Sequence, residues 1–246
     1  MVTYWKDLMN NCPIWKQIFI AISIGTFSCS CESSVTKKVE QAKATSEPQP
    51  QPNVIYGDLV IKEQSDYLMI PVNLAVQYQK QDKSWEFSRS YERNNSNLHN
   101  IIFYHKQDGK SHLLLNRKAI INSFDLLEVK NTGKAPIRVW LYKIINEDTN
   151  KDQKVNNEDA VIGYISDLSG KNLQQVTPNN TKIINWVVVP SQNAIFLKVI
   201  KDSDNNKKFT AEDKINFIRV NLEKPSMGTE IISDQIEQES KSYIFK

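Results

Sequence analysis

Cysteine is scarce: the 246-residue chain has three, Cys12, Cys29 and Cys31, all near its N-terminus. Residues 32–246 therefore hold no internal disulfide and no Cys-based metal site, so packing and any bound ions must stabilise them. Histidine is equally rare, with His99, His105 and His112 alone. The last two flank Asp108-Gly109, where a cross-strand metal pair is conceivable, but surface strand histidines are the simpler reading. A Gly-rich phosphate loop, a Ser nucleophile elbow, a His-Glu-x-x-His helix and paired Cys sites are all missing, so no catalytic constellation is legible and the chain does not read as an enzyme. There is no dominant charge either. The formal net charge is +3, with basic residues scattered among nearly as many acidic ones, which gives nucleic acid no electrostatic footprint to bind.

Long apolar runs are absent as well. The stretch from Ile18 to Phe27 is far short of the roughly 20 residues that span a bilayer, and with Lys6 and Lys16 upstream it reads as a secretory signal. "TFSC" and "SCSC" follow it. A cysteine directly after such a stretch resembles the lipobox of bacterial lipoproteins, which implies lipidation of Cys29 (or Cys31). The protein would then sit in the bacterial cell envelope, lipid-anchored in a membrane and facing the periplasm or exterior. Residues 1–31 form this leader. Residues 32–53 are polar, with Pro48, Pro50 and Pro52, and read as an extended, partly stiff tether.

What is abundant is strand-like sequence. From residue 54 to 246, short β-branched or aromatic runs such as "DYLMIPVNLAV", "IRVWLYKII" and "AIFLKVI" alternate with turn signals, predicting an all-β domain. Helix is expected only as a turn near "TAEDK" and in "SDQIEQES". An internal repeat orders the strands. "IIFYHKQDGKSHLLLNRKAIINSFD" and "VIGYISDLSGKNLQQVTPNNTKIINWV" each contain a strand, a Gly-centred hairpin turn, a second strand and an Ile-Ile-Asn leading to an aromatic. Three units are traced, beginning near Tyr67, Val139 and Ile195. This pattern resembles the blades of TolB-type β-propellers. The resemblance implies three blade-like repeats in an array that need not close, with the strands at Val54 to Ile61 and at "SYIFK" available to complete it.

Two twelve-residue stretches stand between strands, "DTNKDQKVNNED" (148–159) and "DSDNNKKFTAED" (202–213). Both place oxygen donors at positions 1, 3, 5, 7, 9 and 12, as a calcium loop requires. In the first these are Asp148, Asn150, Asp152, the Lys154 carbonyl, Asn156 and Asp159. In the second they are Asp202, Asp204, Asn206, the Lys208 carbonyl, Thr210 and Asp213. With Asp at position 12 the loops are similar to the dockerin form of the EF-hand loop, which implies two calcium sites. Position 6 is normally Gly at positive φ; Gln153 and Lys207 there should cost about 1 kcal/mol each and weaken binding. Val155 and Phe209, at position 8, are expected to pin each loop to the core. Strand flanks rule out calcium-triggered helix opening, leaving a structural role.

The functional expectation is a non-catalytic, calcium-stabilised envelope lipoprotein serving as a scaffold or binding module, with another envelope protein or a glycan as partner. One alternative is a glycan- or small-ligand-binding domain using the aromatic insertion 79–97, with Trp85, Phe87 and Tyr91 as a platform. A second is a reduced propeller-type hydrolase.

Overall fold

The structure, a computed structural model, describes residues 53–75, 98–130 and 132–245. The chain divides into two units, 1–49 and 50–246, and the described residues belong to the second. The lipidation candidates Cys29 and Cys31, the tether before residue 53 and the aromatic residues Trp85, Phe87 and Tyr91 lie outside them. Among the described residues no helix is long and apolar enough to cross a membrane.

The domain is all-β, with three separate antiparallel sheets and no closed ring among the described residues. The first sheet contains β1 (Val54–Tyr56), β2 (Val60–Ile61), β3 (Tyr67–Leu74), β4 (Asn100–His105) and β5 (Ser111–Leu113). The second runs β6 (Ile120–Val129), β7 (Ile137–Ile145), β8 (Ile162–Ser166) and β9 (Gln174–Gln175), in chain order. The third runs β10 (Thr181–Val189), β11 (Ala194–Lys201), β12 (Lys214–Asn221) and β13 (Thr229–Glu230), again in chain order. Pro71 is tolerated inside β3 because its carbonyl accepts from the Gly57 N–H on the side where β1 has ended and β2 has not begun. The donor it lacks falls at that gap between two short edge strands, the kind of position to which proline in sheets is confined.

The second sheet lies between two apolar layers. Phe124, Trp140, Tyr142, Ile144, Ile162 and Tyr164 pack with Met69, Ile101 and Phe103 of the first sheet. Leu127, Val129, Val139, Leu141 and Ile165, alternating with them, pack with Ile195, Leu197, Val199, Ile218 and Val220 of the third. Burial on both faces explains why β6 and β7 are apolar at consecutive positions, whereas β12 alternates between buried and partly or fully exposed residues.

The repeated hairpin turns are where the sequence puts them. Gly109 and Gly170 have φ of 70° and 77°. The repeated Ile-Ile-Asn marks a β-bulge: register shifts between Ile121 and Ser123 on β6, and between Ile183 and Asn185 on β10. The sheets, however, run one strand out of phase with units starting at Tyr67, Val139 and Ile195. The strand that ends one sequence unit opens the next sheet.

One expected strand is a helix. "SYIFK" forms no sheet edge, because its Tyr243 and Ile244 end α1 (Asp234–Ile244), which begins in the expected helical "SDQIEQES". The Ser233 side chain caps it by accepting from the Ile236 N–H, Asp234 and Glu237 occupy the first turn and Lys241 the last, which suits the helix dipole. Lys214 holds the helix to the third sheet through Asp234, at 2.7 Å, and Glu237.

Candidate functional site: the acidic loops

Each loop joins neighbouring strands of one sheet, the first between β7 and β8, the second between β11 and β12. Both fold through a ladder of side-chain oxygens accepting backbone N–H groups two residues on. Asp152 N–H donates to Asn150, Lys154 N–H to Asp152 and Glu158 N–H to Asn156. Asn206 N–H likewise donates to Asp204, Lys208 N–H to Asn206 and Glu212 N–H to Thr210. These turns suit Asp, Asn and Thr because their short side chains reach their own backbone.

The chain turns left-handed at positions 4 and 6 of both loops. Lys151 and Gln153 have φ of 63° and 68°, and Asn205 and Lys207 have φ of 60° and 65°. Gln153 and Lys207 thus occupy the conformation expected of position 6 without glycine's freedom there. Position 12 is the buried anchor. Asp159 is 0% exposed and accepts from the Thr149, Asn150 and Asn156 N–H groups. Asp213 accepts from the Ser203 and Thr210 N–H groups, at 3.0 and 2.8 Å, which hold its carboxyl below the usual range.

Position 2 was not singled out in the sequence, yet it carries a hydroxyl both times. Thr149 Oγ1 donates to Asp159 and accepts from the Ala160 N–H; Ser203 Oγ donates to Asp213 and accepts from the Lys214 N–H. The shared "DT" and "DS" starts are the signal that could have found it.

The loops differ at position 1. Asp148 is half-buried, and both its oxygens accept backbone N–H groups, from Asp152 at 3.1 Å and Gln153 at 2.8 Å. Asp202 is 3% exposed; one oxygen accepts from the Lys207 N–H at 3.3 Å, but Oδ1 is buried with no hydrogen-bond partner. Asp202, Asp204 and Asp213 offer carboxylate oxygens within 4.8 Å of one another. Three carboxylates at that spacing can share one metal ion, and a buried oxygen without a donor is what a cation would complete. Lys207 Nζ approaches the other side of Asp202, 3.7 Å from Oδ2. Among the described residues this is the one such group of three, so the first loop's carboxylates are not brought together in the same way.

Position 8 also departs from the expectation. Phe209 packs against the first apolar layer, but Val155 is 39% exposed and pins nothing. The first loop is held instead by polar contacts: Asn122 donates to the Asn157 side chain at 2.7 Å, and Lys182 Nζ donates to the Asn157 carbonyl. The same Lys182 ammonium lies 6.0 Å over the Phe209 ring, so a single side chain touches both loops. Burial pushes its pKa down, while Glu158 and Asp159 pull it back.

The histidines each have other engagements. His105 Nδ1 bonds Asp108 at 2.7 Å, His112 Nε2 bonds the Ser169 carbonyl at 2.8 Å, and His99 Nδ1 bonds Asn73 at 3.1 Å. His105 and His112 both pack on the Tyr67 ring, with centroids 4.8 and 5.8 Å away. No family model matches this chain, and comparisons with the curated proteins and with the solved structures find no significant likeness.

Proposed function

We propose that the protein is a non-catalytic, calcium-stabilised β-repeat module of the bacterial envelope, a scaffold or binding module held to a membrane by lipid on Cys29 (or Cys31). The observation that carries this reading is Asp202 Oδ1, buried without a partner beside the Asp204 and Asp213 carboxylates. Those three residues, with the Asn206 side chain, the Lys208 carbonyl and the Thr210 oxygen, are a hard-oxygen donor set of the kind calcium prefers. A bound ion would offset two of the cluster's three negative charges and tie the ends of β11 and β12 together. The first loop is the second calcium site in this proposal, and the weaker one, since its carboxylates already have backbone donors. The three consecutive sheets are taken as blade-like units of an array that does not close. Such a protein needs no catalytic group: it would present its surfaces to another envelope protein or a glycan.

The test is thermal unfolding after chelator treatment, followed by titration with calcium or magnesium. Calcium should raise the midpoint of the natural protein, raise that of Asp202→Ala less, and leave the double variant Asp148→Ala, Asp202→Ala unmoved, since a ligand that binds only the native state stabilises it. No shift up to about 10 mM calcium, well above the range of weak extracellular sites, would remove the metal from this account. Mass spectrometry of the mature N-terminus checks the anchor, and an unmodified cysteine there would refute it.

A further inference from the structure

The first sheet packs on the second through Met69, Ile101 and Phe103. Strand alternation sends Leu68, Ile70, Val72, Ile102 and Tyr104 to its other face. Ile61 stands opposite Leu68, Tyr56 opposite Val72 and Leu113 opposite Ile102, so these three extend the same outer face. They meet solvent: Tyr56 is 62%, Leu113 56% and Ile61 54% exposed. Among the described residues, no outward position of this sheet's strands is charged. The short polar side chains there are Ser111 and Asn100, and Asn100 is held by the Leu115 backbone.

The second sheet, apolar on both sides, has another sheet against each. β3 and β4 have the same two-sided character with one side left open. Four strands abreast at about 4.8 Å, along the eight residues of β3 at about 3.3 Å each, give an outer face on the order of 500 Å². Two such faces together bury about 1,000 Å², where specific interfaces begin, and a contiguous apolar surface of that extent marks an interaction site. Charge selects the partner. The turns at one end of the face carry Lys62, Glu63 and Asp66, and Lys106, Asp108 and Lys110, a mixture with no net attraction for an anionic lipid surface. On the third sheet, Lys198 and Arg219 alternate with the inward Leu197, Val199, Ile218 and Val220, so they stand on its outer face. The first sheet offers no carboxylate to meet them, and stacking first on third would bury unpaired cations. The first sheet of a second copy carries no such penalty: apolar meets apolar, and the acids and lysines of the two rims can face each other.

We propose that the outer face of the first sheet pairs with the same face of a second copy, forming a two-fold dimer. Such an interface is self-complementary and closes on itself, so assembly stops at two chains. It does not use the acidic loops and stands whether or not the metal reading does.

The test is analytical ultracentrifugation of the full chain carrying Cys29→Ser and Cys31→Ser, so that no lipid contributes. A dimer should form at about 100 µM or below, and Tyr56→Lys and Leu113→Lys should each weaken it about tenfold or more. Both side chains are more than half exposed, so the substitutions charge the face without opening the core. Val187→Lys, on the outer face of the third sheet, should leave the dimer intact. Flotation with phosphatidylcholine vesicles should recover no protein. Several results would overturn the proposal. One is a chain that stays monomeric at about 100 µM; if it dimerises only once residues 79–97 are removed, its own insertion is the cover. Another is association that Tyr56→Lys and Leu113→Lys leave intact, or that Val187→Lys also abolishes, which would make the contact head-to-tail. The last is vesicle binding that Tyr56→Lys removes, which would give the face to a membrane.

Discussion

Replacing Asp202 by asparagine should change the sign of its effect with calcium. In chelator the natural protein buries an oxygen, Asp202 Oδ1, that has no donor. Asparagine keeps one oxygen for the Lys207 N–H, which donates to Asp202 Oδ2 at 3.3 Å. It also places an NH2 group where Oδ1 was, facing the Asp204 and Asp213 carboxylates. An unsatisfied buried polar atom costs roughly 1–3 kcal/mol, so relief is worth about 2 kcal/mol, or roughly 4–8 °C in Tm for a domain of this size. In calcium the balance reverses, because the variant lacks a ligand. With a Kd of about 10⁻⁴ M, the natural protein gains about 1.4 kcal/mol at about 1 mM calcium and reaches about 2 kcal/mol near 3 mM. The two melting curves should therefore cross at a few millimolar calcium. The assay is calorimetry of both proteins across a calcium series. If Asp202→Asn is the less stable protein in chelator, or if both gain equally from calcium, Oδ1 is not waiting for a cation and the argument fails.

Gly170→Ala should be far worse than Gly133→Ala. Both residues have positive φ, but a Cβ at Gly133 meets open space while one at Gly170 comes within 2.3 Å of the buried Phe103 ring. Denaturant unfolding should show about 1 kcal/mol at Gly133 for the backbone alone and about 3 kcal/mol at Gly170 once overpacking is added. Equal costs would mean that the turn does not press on Phe103. The Asp108 carboxyl, bonded by the Lys110 N–H and by His105, is held down at about 2. Its folded pKa lies below the ordinary value of 3.8, so its stabilisation is present above that value and disappears as pH falls through about 2. NMR titration of its side chain checks this, and an ordinary midpoint would contradict it. Lys214→Met removes the partner of Asp234 and Glu237. Hydrogen exchange in α1 should accelerate while the sheet amides hold their protection; unchanged exchange in the helix would show that other contacts secure it.

Local chemistry was legible in the sequence, and distant packing was not. The Gly109 and Gly170 turns, the strand flanks of both loops, and the left-handed conformation of Gln153 and Lys207 depend on a few neighbouring residues, and each was readable from spacing. β6 was hard to see as a strand of its own. Burial on both faces removes the alternation that marks a strand, and its Ile-Ile-Asn read as a repeat marker although it is a bulge. The phase of the sheets could not be read because a repeat has no intrinsic starting point. Val155 and Phe209 hold the same loop position, yet only Phe209 reaches the core, where it lies beside Lys182, some 27 residues away. Nor does donor spacing distinguish the loops: Asp148 and Asp202 are the same residue at the same position, separated by how deeply each carboxylate is buried.

The placement of the second sheet has a consequence for how the chain is made. Synthesis delivers its strands before the third sheet exists, so Leu127, Val139, Leu141 and Ile165 must wait for the residues that cover them. At roughly 5–20 residues per second, residues 181–222 take roughly 2–8 s to emerge. During that interval one side of a long, apolar sheet stands uncovered, and this is the face on which a nascent chain would need a holding factor or meet another copy of itself.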